Sequence, residues 1–213
     1  INLENITTLL IDLDDTVYPA DCPVWPLVRE RIDLYLREHL GFPVDAASAL
    51  RERLFTTYGT TLRGLQLEYE VDKDEYLDFV HAVRIEDYLK PDPVLYEALA
   101  DIKQRKMIFT NANAKHATTV LECLGINALF SGIIDIEAIA PYCKPEGEAF
   151  NIAMQLAGEP NPQAYLFVDD NLRNLLTAQA LGMTVIHVGE IDHNPVPSIN
   201  KLADIQSLLD GFA

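Results

Sequence analysis

A chain of 213 residues with a formal net charge of −17 at pH 7 surrounds itself with a field of the wrong sign for a DNA or RNA partner. The length holds one sizeable core and an inserted second unit, and 49% hydrophobic against 23% charged residues is the balance of a globular protein, not of a disordered one. No apolar run reaches the roughly 20 residues of a membrane span. The three cysteines, Cys22, Cys123 and Cys143, lack the dense, even spacing of a secreted scaffold or a zinc site, so a reducing cytoplasm is expected.

The first predicted strand runs from Thr7 to Ile11 and ends in Asp12-Leu13-Asp14-Asp15-Thr16. From Tyr18 to Lys90 the apolar spacing is helical (Val28, Ile32, Leu36; Leu50, Leu54; Tyr76, Leu77, Val80), without a strand. Prolines 19, 23 and 26 lead into this stretch and prolines 91 and 93 lead out. Residues 18–90 are therefore expected to form a helical cap inserted into a core of residues 1–17 and 91–213.

Asp92-Pro93 reads as a cap and first-turn proline of a helix carrying Leu95, Leu99 and Ile102. Further strands are expected at Met107 to Phe109, Gly132 to Ile134, Tyr165 to Val168 and Val185 to Val188. The helices between them stop at Gly125 and Gly182, the last with a stripe of Leu172, Leu175, Leu176 and Ala180. Unbroken apolar strands alternating with helices indicate a doubly wound, Rossmann-like parallel α/β sheet.

Ligands in such sheets bind beyond the carboxyl ends of the strands, which is where the polar residues collect. Asp12 and Asp14 follow the first strand, and two carboxylates so spaced suit a hard, oxygen-seeking cation such as Mg²⁺. Asp15 reads as structural, while Thr16 has two open roles, ordering this turn or capping a helix. Thr110 and Asn111 follow the second strand and could either bond a phosphoryl oxygen or cap the next helix. Lys144, among apolar neighbours in Pro141-Tyr142-Cys143-Lys144-Pro145, is either a fixed charge for an anion or a solvated lysine. Asp169 and Asp170 close the set after the fourth strand.

Strand-Asp-x-Asp-x-Thr, then Thr, then Lys, then an acidic pair, in that order, resembles the haloacid dehalogenase-like hydrolase superfamily over nearly the whole chain. The resemblance implies that Asp12 attacks phosphorus to give an aspartyl-phosphate, and that Asp14 is the general acid and base, protonated when substrate arrives. It also implies that Mg²⁺ is held by the Asp12 carboxylate, the Asp14 carbonyl and the pair Asp169 and Asp170, with Thr110 and Lys144 on the phosphate. The position of Asp14 disfavours the superfamily's dehalogenases and phosphonatases, which lack an acid there; a sugar phosphatase or phosphomutase shares these motifs.

A narrower resemblance, to the pyrimidine 5'-nucleotidase branch, rests on Asp-Leu-Asp-Asp-Thr-Val-Tyr-Pro, on Tyr58-Gly59-Thr60-Thr61-Leu62-Arg63-Gly64-Leu65 and on Val168-Asp169-Asp170-Asn171-Leu172-Arg173-Asn174. It implies a small phosphorylated metabolite as partner, a nucleoside 5'-monophosphate, read by Arg63 from the cap; a solvated Arg63 at a helix restart is the other reading. A receiver-like phospho-accepting domain fails on element order, since its acidic pair precedes the acceptor. A non-catalytic module on the same fold is the remaining alternative. His39, His81, His116, His187 and His193 have neither metal-ligand spacing nor a nucleophile partner and are expected at surface or helix positions outside the mechanism.

Overall fold

The computed structural model describes residues 1, 3–190 and 195–209; His193 lies outside them. The fold is built around β1 (Thr8–Ile11), whose four residues are all buried. Leu9 and Ile11 face one apolar cluster and Leu10 the other, because successive strand side chains point to opposite faces and this strand is covered on both.

Five strands join it in parallel: β2 (Arg105–Phe109), β3 (Ile133–Ile134), β4 (Tyr165–Asp169), β5 (Thr184–Val188) and β6 (Ser198–Ile199), in the order β3-β2-β1-β4-β5-β6. The sixth strand escapes the sequence reading, since two residues make no apolar run. The chain winds outward from β1 to β3 and then crosses to the other side of β1 for β4. The strand order thus reverses between β1 and β4, the topological switch point at which such sheets leave a crevice. Ile11 is in register with Ile108 and with Val168, so Asp12 and Asp169 emerge level with each other.

One face of the sheet is covered by α5 (Pro93–Ala100) and α6 (Ala114–Leu124), the other by α7 (Gly147–Ala157) and α8 (Leu172–Leu181). Asp92 caps α5 by accepting from the Val94 and Leu95 N–H groups, and α6 and α8 end at Gly125 and Gly182 in left-handed conformation, as expected. The stripe on α8 is rotated from the expected one. Leu175 and Ala178 are buried together with Asn174, whereas Leu176 and Ala180 are exposed.

Between β1 and α5 the chain forms α1 (Val24–Glu38), α2 (Val44–Tyr58), α3 (Thr61–Glu68) and α4 (Lys73–Val80), with no strand. Their apolar faces make a third cluster of their own, including Val28, Ile32, Leu36, Leu50, Leu54, Tyr76, Leu77 and Val80, which Ile136 and Cys143 join from below. Among the described residues no helix is long and apolar enough to cross a membrane.

Candidate active site

A cavity of about 360 Å³ opens between the carboxyl ends of the strands and the four inserted helices, a size that accepts a small metabolite. The sheet side contributes Asp12, Asp14, Asp15, Thr110, Asn111, Lys144, Asp170 and Asn174, and the inserted helices contribute Trp25, Arg29, Arg51 and Phe55 among others. Residues from four separate chain segments therefore meet at the switch point.

Asp12 leaves β1 with its N–H bonded to the Val168 carbonyl at 2.8 Å, which fixes the carboxylate at the mouth of the sheet. Lys144 Nζ lies 2.7 Å from Asp12 Oδ1 and 2.8 Å from Asp169 Oδ2. The lysine is 1% exposed and its ammonium sits 5.2 Å and 5.4 Å from the ring centroids of Phe109 and Phe167, an electrostatically attractive seat for a cation. Burial opposes its charge, but Asp12 and Asp169 outweigh burial and keep its pKa above the ordinary value. A solvated lysine is ruled out by this geometry.

Asp169 is sealed from solvent and its oxygens are occupied: Asn174 Nδ2 donates to both, Lys144 to Oδ2, and the Asn171 N–H to Oδ1 at 2.7 Å. Asp170 instead lines the cavity. Thr16 donates to Asp170 Oδ1 at 3.3 Å and accepts from the Asp170 N–H at 3.1 Å, so of its two open roles it takes the ordering one; among the described residues no helix begins before Val24. His187 on β5 donates from Nε2 to the Asp170 carbonyl at 2.8 Å, pinning the same turn from below.

One oxygen from each of Asp12, Asp169 and Asp170 falls within 4.8 Å of the others. Burial pushes the Asp12 carboxyl up to about 7, with Lys144 opposing and Asp169 adding to the rise. Burial followed by repulsion from Asp169 and Asp12 lifts Asp170 to about 8. More negative charge converges here than one ammonium balances.

Asp14 behaves differently. Its Oδ1 accepts from His116 Nε2 at 2.9 Å and from the Tyr18 hydroxyl. Burial alone would raise its pKa, but His116 and then Tyr18 overcome that and hold it below the usual carboxylate range. In the free site these two donors therefore favour the ionised form of Asp14. Asp15 adopts φ +57° and burial, then Asp14, lifts its carboxyl to about 7.

Thr110 is buried at the cavity wall and its hydroxyl accepts the Ala112 N–H at 3.0 Å, while the helix cap falls to Asn113. Asn111 spends its amide on the Lys144 backbone, donating to the carbonyl at 3.0 Å and accepting from the N–H at 2.9 Å; it positions the lysine loop. Arg63 is absent from the cavity lining. Its N–H is capped by Thr60 and its guanidinium lies 3.8 Å from Glu146, because the first turn of α3 directs it towards the lysine loop and away from the cavity.

The histidine expectation needs correcting at several positions. His116 and His187 are buried, His81 is half-buried, and His116 bonds Asp14 directly. Tyr18 is a further contact that the sequence reading does not assign. Tyr18 stands four residues after Asp14, a spacing that could have drawn attention. Arg173 donates to the Phe55 and Thr56 carbonyls at the end of α2, tying the inserted helices to the α/β layer.

Residues 6–182 match the profile of the haloacid dehalogenase-like hydrolases. Phosphate metabolism protein 8 of Saccharomyces cerevisiae is 32% identical over an alignment of 194 residues, covering 84% of this chain and 60% of that protein; the chain thus spans about 60% of the length of this relative. Among solved structures, the HAD phosphatase from Thermococcus onnurineus superimposes with a TM-score of 0.65 at 21% identity, over 97% of this chain and 99% of that one. L-2-haloacid dehalogenase from Xanthobacter autotrophicus gives 0.62 at 17%, over 98% and 100%. The two structures share the fold with this chain and differ from each other in chemistry.

Proposed function

Because the chain belongs to the haloacid dehalogenase-like hydrolase family, we propose that it is a Mg²⁺-dependent phosphomonoesterase that works through an aspartyl-phosphate on Asp12. The observation that carries this reading is Asp14, a second carboxyl beside the nucleophile whose Oδ1 is clamped by His116 and Tyr18 at the cavity wall. A departing halide needs no proton. A departing alkoxide does, and a carboxyl so placed can supply it.

In the first half-reaction an Asp12 oxygen bonds to phosphorus as the ester P–O bond breaks, and the leaving alkoxide takes a proton from Asp14. Asp14 is ionised in the free site; a phosphate dianion arriving beside it favours its protonated form. In the second half-reaction water attacks phosphorus, gives its proton to Asp14, and the bond to Asp12 breaks to release inorganic phosphate. Lys144 holds Asp12 in place and offsets the negative charge of the phosphoryl oxygens, with the Thr110 hydroxyl as a further donor.

Asp12, Asp169 and Asp170 fit a divalent cation: all are hard oxygen donors and their oxygens converge, and burial together with mutual repulsion raises the pKa of Asp12 and Asp170. Asp170, which faces the cavity, would be the direct ligand of the acidic pair, since the Asp169 oxygens are already engaged by Asn174, Lys144 and Asn171. When bound, Mg²⁺ supplies charge neutralisation of the phosphoryl oxygens and orientation of the ester. Asp14 would contribute its carbonyl, its carboxyl being held at Oδ1 by His116 and Tyr18 for the proton transfer.

We take residues 18–90 as the cap and a nucleoside 5'-monophosphate as the substrate class, with Trp25 and Phe55 at the cavity wall as surfaces for a flat base. Three free thiols suit a reducing cytoplasm. Phosphate release from pyrimidine monophosphates, sugar phosphates and an aryl phosphate, with Mg²⁺ and with chelator, tests the reading. Metal-dependent release from nucleotides supports all of it, release from sugar phosphates alone removes the nucleotide, and no release from any ester overturns the phosphatase.

A further inference from the structure

His116 stands in the first turn of α6, on the α/β layer, with a side chain wholly shielded from solvent. His81 follows the last residue of α4, on the inserted helices, and lines the cavity. Their rings stack at 4.4 Å between centroids with 22° between planes. Each Nδ1 is buried without a hydrogen-bond partner among the described residues. The His116 ring thus has one hydrogen bond among the described residues, to Asp14, and the His81 ring stacked over one face.

Asp14 needs that restraint. Its carboxyl hangs from the turn in which Asp15 takes φ +57°, and rotation about the Cβ–Cγ bond would present either oxygen to the cavity. His116 and Tyr18 both bond Oδ1, and among the described residues no side chain or backbone group bonds Oδ2. That atom is also missing from the sealed, unpartnered polar atoms. Oδ2 is thus the oxygen left open to the cavity.

We infer that His116 is a positioning residue that aims Asp14 Oδ2 at the leaving oxygen, and that His81, stacked on it from the inserted helices, makes this aim depend on the seating of those helices. The inference rests on the phosphatase reading, since only a leaving group that needs a proton makes the aim matter. Lifting the inserted helices removes the His81 ring, exposes the His116 face and Nδ1 to water, and frees the ring to turn. The acid is then aligned only when the cavity is closed, so that closing completes the catalytic constellation.

Two esters separate this role from a merely structural one. From a nucleoside 5'-monophosphate the nucleoside departs as an alkoxide and requires the proton; from p-nitrophenyl phosphate the p-nitrophenolate departs as a stable anion and largely does not. The value of kcat/KM reports events up to formation of the phosphoryl-enzyme, before the shared hydrolysis step. In Mg²⁺-loaded protein, His116→Leu should lower kcat/KM for the nucleotide by about 100-fold or more, and for the aryl ester by less than about tenfold. His116→Gln, which keeps a donor, should recover most of the nucleotide loss. His81→Ala should show the same ester-selective loss, about tenfold, while His81→Phe, which keeps a stacked ring, should retain the wild-type ratio between the esters.

Equal losses on both esters in His116→Leu, or no loss on either, overturn the positioning role. An unchanged ester ratio in His81→Ala overturns the coupling to the inserted helices. Should His116→Leu fail to fold, the His81 variants decide the matter, because their change lies on the inserted helices. A wild-type protein that hydrolyses no ester of the wider panel, sugar phosphates included, sinks the phosphatase reading and this inference with it, whereas an active protein with an unchanged ester ratio in the variants sinks the inference alone.

Discussion

Gly59 packs so closely on Lys144 that a β-carbon there would lie 2.6 Å from the Lys144 carbonyl oxygen and 2.8 Å from Pro145 Cδ. Gly59 ends α2 at φ +89°, so both its conformation and its neighbour demand glycine. Gly59→Ala should cost about 1–3 kcal/mol of stability and should displace the loop that carries Lys144, lowering kcat by about tenfold or more. Thermal unfolding with a phosphatase assay checks this; full activity in a destabilised variant would show that the lysine loop does not follow Gly59.

Asp12→Asn retains the shape of the side chain and removes the nucleophile. Phosphatase activity should fall by about 1,000-fold or more with no phosphoryl-enzyme in rapid-quench experiments, while the melting temperature is preserved or raised, since burial disfavours the Asp12 charge in the metal-free protein. Wild-type turnover by this variant would be incompatible with attack by Asp12.

Lys144→Ala leaves Asp12 and Asp169 facing each other without their shared cation. Removing one partner from a buried charge network costs about 3–5 kcal/mol, and inhibition by inorganic phosphate should weaken in parallel. Urea unfolding and phosphate inhibition measured on the same preparation distinguish the two effects. Unaltered phosphate inhibition would place the anion elsewhere.

Acidity offers a test independent of turnover. Asp12 and Asp15 at about 7 and Asp170 at about 8 lie above the ordinary carboxylate value of 3.8. The folded, metal-free chain therefore binds more protons than the unfolded one between those limits, and its stability must fall as pH rises through that window. The melting temperature without metal should drop by several degrees between about pH 5 and pH 8, and the increment gained with Mg²⁺ should grow over the same range, because ligation requires the deprotonated acids. A melting temperature that climbs towards pH 8 without metal would contradict the crowding seen at Asp170.

The strand ends bearing Asp12, Thr110 and Asp169 are legible in the sequence for a simple reason. A strand covered on both faces leaves an unbroken apolar run, and the first polar residue after it stands at the crevice. Helix turns carry no such marker. His116 reaches Asp14 across 102 residues of chain only because α6 begins above the carboxyl end of β2, and spacing alone does not report that return. The rotation of α8, which buries Asn174 against Asp169 and exposes Leu176, was hidden because a polar residue on the inner face looks like a break in an apolar stripe. Arg63 is the opposite case: its sequence neighbourhood suggests a ligand, and the start of α3 turns it towards Glu146.

The Thr16 and Asp170 turns bond each other across 154 residues, which bears on how the protein is made. A chain emerging from the ribosome exposes Asp12 long before Asp169 and Asp170 exist. Until β4 adds beside β1, the early acids lie in water and ionise as free aspartates do. β1, β2 and the inserted helices can then collapse without any electrostatic penalty from the later pair. The repulsion that a divalent cation would relieve belongs to the closing step of folding, when long-range pairing completes the sheet, so metal supplied during synthesis should assist that step and none before it.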